Sequence, residues 1–101
     1  MPLPVLGIIG GGQLGSMLAD AAKKINIKTI IFSDDAYAPA KNFADGFIYA
    51  NYDDKKKISE FIDRVDLVTY EFENIPYYTL NKINETKKVL PEPNINKIVQ
   101  N

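Results

Sequence analysis

The chain has 101 residues, of which 46% are apolar and 25% charged, and its formal net charge is −1. That is the size and composition of one small globular domain, and the near-neutral balance carries no electrostatic footprint for nucleic acid. With no cysteine and no histidine, disulfides, thiol nucleophiles, Ser-His-Asp triads and the usual zinc sites are excluded, and any metal would need oxygen ligands.

Val5–Ile9 is a short apolar run that ends on glycine, and it predicts a buried strand. Beyond the glycines, Leu14, Met17, Leu18, Ala21, Ala22 and Ile25 recur at offsets of three and four, which predicts one buried helical face. Lys23 and Lys24 suit the negative end of that helix. Lys28–Phe32 predicts a second strand. Ser33-Asp-Asp35 reads as a polar turn, and Ala38-Pro-Ala40 as a small-residue loop on the sheet edge.

Phe47–Ala50 is the third strand. Asp53 or Asp54 caps a helix running through Arg64, with Ile58, Phe61, Ile62 and Val65 inward. Asp66–Tyr70 is the fourth strand. Ile75-Pro76 opens a further helix with proline in its first turn and Tyr77, Leu80 and Ile83 as its stripe. Lys88–Leu90 predicts a last short strand, closed by Pro91 and Pro93, and Ile95–Gln100 the start of another helix. Alternating strands and helices predict an α/β fold, a three-layer Rossmann-like domain with a mostly parallel sheet of four or five strands.

Two stretches carry chemistry. The first is Gly10-Gly-Gly-Gln-Leu-Gly15, which fits G-x-G-x-x-G between a strand and a helix. Gly12 permits close approach of a ligand, Gly15 permits close helix–strand packing, and the amides of Gln13 and Leu14 face outward at the positive end of the helix. A phosphate-bearing ligand is the expectation. A dinucleotide would want an acidic residue at the end of strand two, and Asp34 stands one step late for it.

The second is Thr69-Tyr-Glu-Phe-Glu-Asn-Ile-Pro76, after the fourth strand. Ligands of parallel sheets gather at such strand ends. In extended backbone Glu71 and Glu73 share one face. Either could accept a hydrogen bond from a substrate amine or hydroxyl, and either could equally be a solvated loop residue. The tyrosines at 49, 52, 70, 77 and 78 could stack on a base, but aromatics of this kind are more often packing residues.

Taken in order, Gly10–Gly15 with Met17-Leu18, Ala38-Pro-Ala40, Ala44-Asp45, Tyr52-Asp-Asp54 and Asp66–Pro76 resemble 5-(carboxyamino)imidazole ribonucleotide synthetase of the ATP-grasp superfamily. The resemblance spans essentially the whole chain, and its most specific part is Thr69–Pro76. It implies that residues 1–101 are the N-terminal pre-ATP-grasp domain of a longer ligase of purine biosynthesis. That enzyme uses ATP and bicarbonate to carboxylate 5-aminoimidazole ribonucleotide, with ATP and magnesium bound mainly by later domains.

The resemblance further implies that Gly12, Gln13, Leu14, Glu71 and Glu73 form the substrate side of the cleft, with no catalytic residue on this domain. It is compatible with a homodimer of the full-length parent. Two positions depart from the family pattern: Ser16, where arginine is common, and Ser33, where an acidic residue is common. The runners-up are another carboxylating or formate-dependent ligase, and a non-catalytic NAD or nucleotide-binding Rossmann module. No apolar run approaches the ~20 residues of a membrane span and the first residues lack a signal-peptide pattern, so a cytoplasmic location is expected.

Overall fold

The computed structural model describes residues 3–71 and 75–93. Four strands, β1 (Leu6–Ile9), β2 (Thr29–Ser33), β3 (Gly46–Tyr49) and β4 (Leu67–Tyr70), form one sheet in the order β3-β2-β1-β4. Every pairing is parallel, with Ile8 opposite Ile31 on one side and Thr69 on the other. Between the strands run α1 (Gln13–Lys24), a 3-10 turn at Pro39–Asn42, α2 (Lys55–Arg64) and, after β4, α3 (Tyr77–Asn84).

The strands are apolar on both faces because helices cover both. Ile8 and Ile31 pack with Ala19 of α1 and Ala40 of the 3-10 turn. On the opposite face Ile9, Ile30, Phe32, Val68 and Tyr70 pack with Ile58 and Phe61 of α2 and Leu80 and Ile83 of α3. The period-two alternation of a strand thus divides each apolar run between two cores, and the result is the expected three layers.

The cap of α2 is Asp54, whose Oδ1 accepts the Lys57 amide at 3.1 Å. Helix α1 has Lys23 and Lys24 in its last turn. It ends with Asn26 in the left-handed region at φ 63°, where the Ile27 and Asn26 amides donate to the carbonyls of Ala22 and Lys23. This is the paired closure of a Schellman end.

Three expectations need correction. The inward stripe of α1 is not the one with the large apolar residues: Gly15, Ala19 and Ala22 are buried, whereas Leu14, Met17 and Ile25 are 43%, 61% and 63% exposed. The helix lies so close to the sheet that its fully buried stripe is of small side chains; Leu18 of the expected stripe packs partly against that core, and Leu14, Met17 and Ile25 are turned outward. Lys88–Leu90 is not a fifth strand; it contributes a single parallel bridge between Val89 and Val68. Ala38-Pro-Ala40 packs on the glycine loop and the α1 face, with the Ala40 amide donating to the Gly11 carbonyl at 3.0 Å. The predicted helix at 95–100 lies outside the described residues.

Candidate functional site at the switch point of the sheet

Strand β1 pairs with β2 on one side and β4 on the other, so the chain crosses over and the sheet runs in opposite directions from β1. In open parallel sheets the crevice at the carboxyl ends of the strands beside such a crossover is where ligands bind. Here the crevice is flanked by Gly10–Gly12 after β1, Ser33–Asp35 after β2 and Glu71 after β4.

Glu71 is anchored through its backbone, its amide donating to the Ile9 carbonyl at 3.0 Å. This extends the β1–β4 ladder one step and aims the side chain over the glycine loop. Its Oε1 accepts the Gly15 amide at 2.7 Å, a length typical of a charge-assisted bond. The carboxylate therefore sits at the positive end of α1, where the helix dipole favours an anion.

The glycines make this seat possible. Gly10 has φ +104°, and a Cβ there would lie 2.7 Å from Glu71 Oε2; one on Gly15 would lie 2.6 Å from the Gly10 carbonyl oxygen. The first turn of α1 is closed on Gly12, whose carbonyl accepts both the Ser16 amide and the Ser16 hydroxyl at 2.9 Å. Ser16, one of the departures from the family pattern, is thus a local turn-closing residue.

The crevice holds a cavity of about 170 Å³ lined by Gly11, Gly12, Ser33, Asp34, Asp35, Ala38, Tyr52 and Glu71. It carries three carboxylates and no lysine or arginine. Ser33, the other departure, is buried, and its Oγ accepts the Asp35 amide at 3.1 Å. Asp35 also turns the loop, its Oδ1 accepting the Tyr37 amide at 2.9 Å. Asp34 and Asp35 therefore line the crevice as well as forming the polar turn expected of them. Tyr52, read from the sequence as a packing residue, also lines the crevice; a lone tyrosine in a loop gives no periodic signal that would mark it as a site residue.

The named site residues fall out unevenly. Gly12 and Glu71 line the cavity. Gln13 and Leu14 form the first two positions of α1 with exposed side chains, and neither lines the cavity. Glu73 lies outside the described residues. A second groove of about 300 Å³ runs along α2 and α3, lined by Ile58, Ile62, Lys55 and Lys82 among others, but it lies on the helices rather than at the strand ends. Among the described residues, no group of three or more acidic side chains is placed to hold a metal ion, and no helix is long and apolar enough to cross a membrane.

A parallel α/β sheet with a glycine turn after its first strand and a crevice at the switch point defines a Rossmann-like domain. Comparison with known proteins resolves which one. The chain belongs to the ribonucleotide synthetase preATP-grasp domain family, whose model matches residues 3–100.

Among its relatives, the N5-carboxyaminoimidazole ribonucleotide synthase of Brucella melitensis is 48% identical over 92 residues, covering 91% of this chain and 25% of that protein. The N5-carboxyaminoimidazole synthetase of Staphylococcus aureus, solved with ADP, superposes with a TM-score of 0.88 at 35% identity over 96% of this chain and 26% of that one. The Aspergillus clavatus synthase, solved with ADP and 5-aminoimidazole ribonucleotide, gives a TM-score of 0.83 at 28% identity, covering 97% of this chain and 26% of its own. The chain thus spans about a quarter of the length of the relatives that it matches, and those relatives bear the name implied by Gly10–Gly15 and Thr69–Pro76.

Proposed function

We propose that this chain is the N-terminal, substrate-side domain of an ATP-dependent ligase that carboxylates 5-aminoimidazole ribonucleotide with bicarbonate in purine biosynthesis. The 48% identity to the Brucella synthase supports this reading. ATP and magnesium belong to later domains of that ligase. The domain's share of the work is to bind and orient the ribonucleotide through Gly12, the backbone at Gln13 and Leu14, and Glu71, with Glu73 as a further contact.

One observation directs the pose: the Glu71 carboxylate already occupies the start of α1, on the Gly15 amide. Together with Asp34 and Asp35 it makes the crevice acceptor-rich and anionic. A phosphate is repelled from such a site, whereas ribose hydroxyls or an exocyclic amine find acceptors there. At about 170 Å³ the cavity is also smaller than the ~300 Å³ at which whole-ligand sites begin. It therefore receives the sugar or aminoimidazole part, and the phosphate extends out of it. The same carboxylate disfavours the alternative NAD-binding module, whose pyrophosphate would need the helix start that Glu71 fills.

Glu71→Gln in the full-length ligase is the test, since glutamine keeps an acceptor for Gly15 and loses the charge. Loss of a hydrogen bond to a charged group, about 1.5–3 kcal/mol, predicts a 10- to 100-fold weaker affinity for the aminoimidazole ribonucleotide by calorimetry. An affinity equal to that of the parent would remove Glu71 from the site.

A further inference from the structure

The crevice as built from Glu71, Asp34 and Asp35 offers acceptors, yet an aminoimidazole ribonucleotide carries acceptors as well as donors. Tyr52 supplies what is missing. It lies between β3 and α2, half-buried, and is held from two sides. Its ring makes a tilted contact with Phe32 at 5.9 Å, and the Phe32 ring stands edge-on to Phe61 at 5.6 Å. Its carbonyl accepts the Thr79 hydroxyl of α3 at 2.7 Å. Ring and backbone are therefore fixed before any ligand arrives.

Tyr52 lines the crevice together with Ser33, Asp34 and Glu71, near enough that the Asp34 and Glu71 charges both act on its phenol. The neighbouring Ser33 Oγ is already engaged, accepting from the Asp35 amide. A neutral phenol has one hydrogen to donate, and that is the donor that Tyr52 offers. Burial, reinforced by the nearby Asp34 charge, raises its pKa to about 12, so the hydrogen is retained throughout the neutral range.

We propose that Tyr52 is a substrate-binding, specificity-determining residue whose hydroxyl donates to an acceptor of the ligand part held against Glu71, a ribose oxygen or an imidazole ring nitrogen. The proposal rests on the ligase reading above. A donor and acceptors lining one crevice select a ligand fragment that carries both functions side by side.

The test is Tyr52→Phe in the full-length ligase, with Glu71→Gln alongside. Phenylalanine keeps the ring against Phe32 and removes only the hydroxyl. Losing one neutral hydrogen bond predicts a KM for the aminoimidazole ribonucleotide raised roughly 3- to 10-fold, with the KM for ATP and the thermal midpoint unmoved. If Tyr52→Phe leaves the ribonucleotide KM unchanged while Glu71→Gln raises it, the proposal fails and the ligase reading stands. If neither substitution moves that KM, the ligase pose itself fails. A Tyr52→Phe protein with both KM values shifted or a lowered midpoint would show that the hydroxyl merely braces the Ser33–Asp35 loop, which also overturns the proposal.

Discussion

Replacing Gly15 with alanine sets two effects of opposite sign against each other. Gly15 is the third residue of α1, and alanine in a helix is favoured over glycine by up to ~1 kcal/mol. Against that, the new methyl would lie 2.6 Å from the Gly10 carbonyl oxygen, about 0.8 Å inside the 3.4 Å at which ordinary contact begins. Gly10 cannot easily yield, because its amide donates to the Phe32 carbonyl at 2.8 Å and its φ is +104°.

Helix α1 must therefore lift off the loop, stretching the 2.7 Å bond from Gly15 to Glu71. Overpacking of this kind costs about 1–3 kcal/mol, so the clash outweighs the propensity gain and Gly15→Ala loses roughly 1–2 kcal/mol. Urea unfolding followed by circular dichroism measures it as a lower midpoint at unchanged slope. Ala21→Gly, at an exposed position of the same helix, calibrates the propensity scale and should cost about 1 kcal/mol. A Gly15→Ala protein as stable as the parent, beside an Ala21→Gly protein that loses its full increment, would refute the close seating of α1.

Two further outcomes follow from buried polar groups. The Thr29 hydroxyl is buried with no hydrogen-bond partner among the described residues, so Thr29→Val should raise the free energy of unfolding by on the order of 1 kcal/mol, read as a higher midpoint; a loss of stability would mean that the hydroxyl is satisfied. At alkaline pH, Tyr52 ionises near 12 in the fold against a usual 10.0. The folded state then holds a proton that the unfolded state has released, and stability falls from about pH 10 to pH 12. Tyr52→Phe should flatten that fall, and identical pH profiles for the two proteins would contradict the burial assigned to the hydroxyl.

The elements themselves were legible in the chain. The apolar run into Gly10, the Asp54 cap and the strand before Glu71 are local signals, each written within one or two turns of sequence. The site was half legible. The spacing Gly10, Gly12, Gly15 announced a backbone that approaches something closely, and Thr69–Pro76 placed a carboxylate at a strand end. Nothing local to either stretch says that the two meet. In the fold they touch each other, and that contact puts a carboxylate at the helix start where a phosphate was expected.

Sequence alone, then, determined strand and helix order and the parallel sheet, because periodicity, caps and glycine spacing are properties of neighbours along the chain; the family came from the resemblance carried by Gly10–Gly15 and Thr69–Pro76. Tertiary structure alone decided which stripe of α1 is buried, that Glu71 is seated on the Gly15 amide, and that Ser33, Asp34 and Tyr52 meet across the crevice. Those are contacts between residues up to 56 positions apart, as from Gly15 to Glu71. They depend on how closely a helix can approach a sheet, a distance set by side-chain volume and backbone hydrogen bonding together, which no local pattern encodes.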